Sequence, residues 1–111
     1  MSFFDKMVET KRLGMSVKDA VVMCAKAVNE SPKFTLEEMD EENASVRCVY
    51  SNGIFKYTQQ MGNVTRVTFV FNDDGNGSTI CTGRIYNEYN DGNVLLKSFY
   101  HKILLAAMQL V

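Results

Sequence analysis

Asn52-Gly53 stands between two segments of alternating character, and this dipeptide constrains the fold more than any other feature of the chain. Val46-Arg47-Cys48-Val49-Tyr50-Ser51 precedes it and Ile54-Phe55-Lys56-Tyr57-Thr58-Gln59 follows. Asn and Gly both tolerate the positive φ of a type I′ turn, so the pattern predicts a two-residue hairpin. Such a loop pairs Ser51 with Ile54, Tyr50 with Phe55, Val49 with Lys56 and Cys48 with Tyr57. Tyr50, Phe55, Cys48 and Tyr57 then share one face, while Arg47, Lys56 and Thr58 share the other.

The strands on either side follow from the same period-2 argument. Phe34-Thr35-Leu36 begins a strand ahead of the hairpin, and the acidic stretch to Asn43 turns the chain. Val64 to Phe71 places Thr65, Val67, Phe69 and Phe71 on one face. A three-residue loop, Met61-Gly62-Asn63, pairs Phe55 with Phe69 and Tyr57 with Val67, which keeps the aromatic faces together. Ser78 to Tyr89 reads as a last strand with Cys81, Gly83 and Ile85 inward and Arg84 in water. A glycine in mid-strand marks a bulge or a close helix contact. The outer face carries Val49, Ile54, Thr58, Arg66, Thr68 and Val70, a mixture that suits a symmetric sheet-to-sheet contact.

Helices are expected at both ends. Ser2 and Asp5 have capping-box spacing ahead of Phe3, Phe4, Met7 and Val8, which predicts a short amphipathic helix over residues 2–13. Ser16 and Asp19 repeat the signal, Val17, Ala20, Val21, Cys24, Ala27 and Val28 follow at helical spacing, and Pro32 ends the run, giving a helix over 16–31. From Val94 the chain reads as helical to about residue 110. Lys97, Ser98, His101, Lys102, Leu105 and Gln109 form one narrow polar stripe on an otherwise apolar surface.

The expected architecture is one α+β domain over residues 1–111. It has two N-terminal helices, a five-stranded antiparallel meander over 33–89, and a long C-terminal helix packed across one face. The order of five strands and then a long helix is similar to the helix-grip proteins of the Bet v 1 and START type. That resemblance implies a small apolar ligand held between sheet and helix, with Tyr50, Phe55, Tyr57 and Phe69 as its lining. The first strand of that fold is not read from this sequence.

Composition narrows the function. A net charge of −1 argues against nucleic acid as the main ligand, since displacing counterions from phosphates needs a basic excess. Asp5 and Glu9 interrupt any signal-peptide core and oppose a membrane-lying helix. The three sequons at Asn43, Asn63 and Asn76 are therefore read as chance, and a cytoplasmic location is expected. Cys24, Cys48 and Cys81 form no C-x-x-C pair, so they read as reduced core thiols, with no metal or cofactor.

No catalytic constellation stands out. His101 has lysine, leucine and serine as helical neighbours and no local carboxylate to orient it. Asp73-Asp74-Gly75-Asn76 lacks the ligand spacing of a calcium loop and reads as a turn. Glu37, Glu38, Asp40 and Glu41 either keep an edge strand from aggregating or dock a basic partner. Phe3, Phe4, Met7 and Val8 are candidates for an interface, with the domain itself or with a second subunit. The expectation is a non-enzymatic binding or regulatory domain, acting through self-association or a protein partner. A carrier of a small apolar ligand is the alternative.

Overall fold

The computed structural model describes residues 4, 7–53, 64–88 and 96–111. The elements are β1 (Val8–Leu13), α1 (Val17–Glu30), β2 (Phe34–Asp40), β3 (Ser45–Tyr50), β4 (Thr65–Asp73), β5 (Thr79–Asn87) and α2 (Lys97–Met108). The strands form one antiparallel sheet in the order β1-β5-β4-β3-β2.

The N-terminal segment corrects the sequence reading. Among the described residues one helix precedes the meander, and Val8–Leu13 is a strand, pairing with β5 from Val8↔Arg84 to Leu13↔Thr79. The helical reading fails because Glu9 and Lys11 are inward positions of an edge strand, where charge hides the period-2 pattern. Their side chains are satisfied from α2 and from the residues that follow it. Glu9 meets His101 at 3.0 Å, and Lys11 donates to the carbonyl of Val111. With β1 in place, the strand that the helix-grip order lacked is present.

A second correction concerns the hairpin. Gly53 has the positive φ (61°) expected of the turn, but residues 54–63, including the Met61-Gly62-Asn63 loop, lie outside the described residues. Between Ser45 and Val49, β3 is paired on both edges. Cys48 lies between Leu36 and Val67 rather than opposite Tyr57, and Val49 lies between Thr35 and Arg66 rather than opposite Lys56. Phe69 correspondingly faces Val46 and Gly83, not Phe55. Direct pairing of β3 with β4 still puts Val46, Cys48, Val67 and Phe69 on one face. The inward set is as expected while its partners are not.

Local signals hold elsewhere. The Ser16 side chain accepts from the Asp19 amide at 3.2 Å, satisfying one of the unpaired donors at the start of α1. Ser31 closes the helix on Val28, directly before Pro32. Thr65, Val67, Phe69 and Phe71 are all buried, as are Cys81, Gly83 and Ile85.

Both helices lie on this inner face. α1 covers β2, β3 and β4 through Ala20, Val21, Cys24, Ala25 and Val28, while α2 covers β5 and β1 through Tyr100, Ile103, Leu104, Ala107 and Met108. The close approach of α2 depends on Gly83. A Cβ there would collide with the Met108 sulfur and come within 3.4 Å of Leu104 Cδ1. Met108 can swing aside for a methyl, but a branched side chain leaves no such relief. Gly83→Val is expected to cost about 1–3 kcal/mol through overpacking. Urea denaturation should show a lower midpoint at unchanged slope.

Candidate functional site

The face of the sheet left bare by the helices is where charge gathers. All four arginines of the chain, Arg12, Arg47, Arg66 and Arg84, occupy outward positions of the strands. None of the described lysines does. Arg47 pairs across β3–β4 with Thr68, which pairs across β4–β5 with Arg84. Arg66 lies two residues along β4, diagonal to both. Three arginine positions therefore surround Thr68 within the roughly 7–8 Å of diagonal cross-strand neighbours.

A β-bulge supplies the counter-charge. The β2–β3 register shifts between Leu36 and Glu38, so Glu37 is an extra residue and both glutamates stand over Arg47. Glu37 accepts from Arg47 Nε at 2.5 Å and from Arg66 Nε at 2.9 and 3.2 Å. Glu38 is held more loosely, 3.4 Å from Arg47. Partial desolvation opposes charge on Glu37, but hydrogen bonds from Arg66 and Arg47 together outweigh it and hold its carboxyl below the usual range. The Arg84 side chain has neither an ion pair nor a hydrogen bond among the described residues, and Tyr86 beside it is 43% exposed. Arg12, farther out, pairs with Asp74 at 3.2 Å.

The inner face offers less room. Phe69 is fully buried, and Tyr50 is half-buried against Phe34 with ring centroids 5.4 Å apart. Phe55 and Tyr57 lie outside the described residues. At the end of the sheet where β5 leads toward α2, Asn87 donates to Thr65 at 2.6 Å, both fully buried. A cavity of about 350 Å³ opens elsewhere, lined by Val17, Lys18, Val21 and Glu41 where α1 begins beside the β2–β3 turn.

The remaining candidates are dispersed. Phe4 and Met7 are buried, Phe4 edge-on to Tyr100 at 5.2 Å, and Phe3 lies outside the described residues. Val8 is half-buried on the outer face opposite Arg84. Asp40 accepts from the side chain and backbone of Asn43, which lowers its pKa and closes the β2–β3 turn. His101 does gain a carboxylate, Glu9, from β1, a contact invisible at helical spacing. The parity of β1 was the signal that would have placed it. Burial pushes the Cys24 thiol far up and those of Cys48 and Cys81 up to about 12, so none is a nucleophile at neutral pH. Among the described residues, no group of His, Cys, Asp and Glu is placed to hold a metal, and no helix is long and apolar enough to cross a membrane.

Comparison with known proteins gives a fold. No family model and no curated protein matches the chain. Among solved structures, a Thalictrum norcoclaurine synthase point mutant in complex with a transition-state analogue aligns with a TM-score of 0.56. It is 11% identical, over 92% of this chain and 87% of that one. The fold is of the helix-grip type. A protein from Thermus thermophilus aligns at 0.47 with 13% identity, over 92% and 85% of the two chains. One from Thermobifida fusca aligns at 0.48 with 8% identity, over 72% and 71%. At such identities the likeness concerns architecture, because chemistry depends on side chains that are not shared.

Two expected outcomes follow from the site. Glu37→Gln should cost about 1 kcal/mol or less, the scale of exposed ion pairs. Because the folded-state pKa of Glu37 is depressed, its contribution is complete above the unfolded-state value of about 4.3 and fades as pH falls through the lower folded-state value. Acid titration of stability should therefore show a shallower loss in the variant than in the parent. Separately, an exposed-thiol reagent should label none of the three cysteines in native buffer and all three in denaturant.

Proposed function

We propose that the chain is a non-enzymatic binding domain that engages a protein through the outer face of its sheet. The observation carrying this reading is the segregation of every arginine onto that face, with lysine kept off its described positions. Arginine is enriched and lysine depleted where proteins meet, because the guanidinium is weakly hydrated and stacks on flat surfaces. Half-buried Val8, Val49, Val70 and Ile80 intersperse the arginines and supply apolar area. The inert thiols and the isolation of His101 with Glu9 support the absence of chemistry.

A photo-crosslinking residue at Thr68, compared with one at exposed Met23 of α1, tests the reading in the cells that make the protein. Adducts should form at Thr68, be absent at Met23, and be lost with Arg66→Glu. Adducts at both positions, or at neither, would overturn it.

The helix-grip fold favours a second reading, a carrier of a small apolar molecule between α2 and the sheet. Leu104 and Met108 occupy the space over Gly83, so the ligand would sit toward the end of the sheet where the buried Thr65–Asn87 pair offers a polar anchor. Native mass spectrometry of the freshly purified protein should then show a bound small molecule. A single apoprotein mass would count against this reading.

A further inference from the structure

We propose that the protein bound at the outer face is a second copy of this chain, joined sheet to sheet about a two-fold axis. This inference rests on the preceding reading and adds the identity of the occupant. It is carried by the order of charges across the sheet. One cross-strand row runs Arg84, Thr68, Arg47, Glu38, from β5 through β4 and β3 to β2.

A two-fold axis parallel to the strands reverses that row and preserves position along the strands. If the axis lies between β3 and β4, the reversed row puts Arg84 of one copy over Glu38 of the other, twice. Thr68 then lies over Arg47. These are the two groups with the most to gain, since Arg84 has no partner among the described residues and Glu38 has only its 3.4 Å contact. In the next row, Arg66 lies over Val49 and Tyr86 over Thr35, so no like charges are opposed. Moving the axis onto β4 instead sets Arg84 against Arg47, a repulsion that disfavours that register. Glu37 takes no part, being held between Arg47 and Arg66 of its own chain.

Size sets the strength. The four strands that overlap about this axis, β5 to β2, at about 4.8 Å spacing and seven residues at about 3.3 Å make a plate of about 450 Å² per copy. Standard stable interfaces bury about 800 Å² per partner, so association in the micromolar range is expected.

Sedimentation equilibrium of the full chain over roughly 10–300 µM reads the proposal directly. The parent protein should pass from monomer to dimer. Arg84→Glu and Glu38→Arg should each weaken dimerisation by roughly tenfold or more, because each substitution opposes like charges at two symmetric places. Combining them should restore the parent affinity to within roughly threefold, since the pair is then re-formed with its signs exchanged. Circular dichroism melting identifies any variant with altered folding, and Arg84→Ala serves as a milder substitute.

A parent protein monomeric at the top of the range overturns the proposal. So does a dimer indifferent to both single substitutions, or one that the double variant fails to restore. The two readings fail differently. Thr68 adducts to another protein, with a monomeric parent, remove the second copy and leave the outer face as a binding surface. A dimer insensitive to charge exchange, without Thr68 adducts, removes both.

Discussion

One greasy sheet face must be covered across its whole width, and no single helix is broad enough to do it. Five strands span roughly 20–24 Å, whereas a helix with its side chains covers about 10–12 Å. The chain divides the task. α1 lies over β2 to β4 and α2 over β5 and β1, and their buried residues join in one core. The division explains why α2 is apolar beyond what one sheet contact needs. Its inward residues meet both the sheet and the N-terminal segment, including Phe4, and the polar stripe read from the sequence is its exposed side. It also explains Gly83, the position at which α2 comes closest to the backbone of β5.

Much of this was legible because it is local. The capped start and proline-marked end of α1 are written in adjacent residues, and the inward sets of β4 and β5 follow from period-2 alternation. Strand partners were not legible. Cys48 next to Val67 satisfies the same parity as Cys48 next to Tyr57, so alternation alone cannot choose between them. β1 was hidden for a different reason. Its inward Glu9 and Lys11 look like solvent residues until α2 brings His101, and the segment after it the Val111 carbonyl, within reach. The sign of local chemistry was right, and the missing information was long-range.

The outer face shows the same split. Arg47, Arg66 and Arg84 were outward by parity, so their common surface could be inferred from sequence. Their grouping around Thr68 required the register, and the grip on Glu37 required the bulge. That bulge also bears on the edges. Among the described residues β2 and β1 are the two edges of the sheet, and both carry charge where another strand would otherwise add. With its rims discouraged from pairing, the sheet has its broad bare side as the surface available for association.

The placement of β1 has a consequence for how the molecule is made. Val8 pairs with Arg84, so about two-thirds of the 111 residues lie between the two partners. β1 leaves the ribosome well before β5, yet it has nowhere to dock until β5 has emerged and α2 can close over it. Loop-closure entropy makes contacts of such separation late and slow. Through synthesis the nascent chain therefore carries an unsheltered strand with Phe4 and Met7 beside it. The Glu9, Lys11 and Arg12 charges that obscure it as a strand also keep it from sticking to neighbours while it waits.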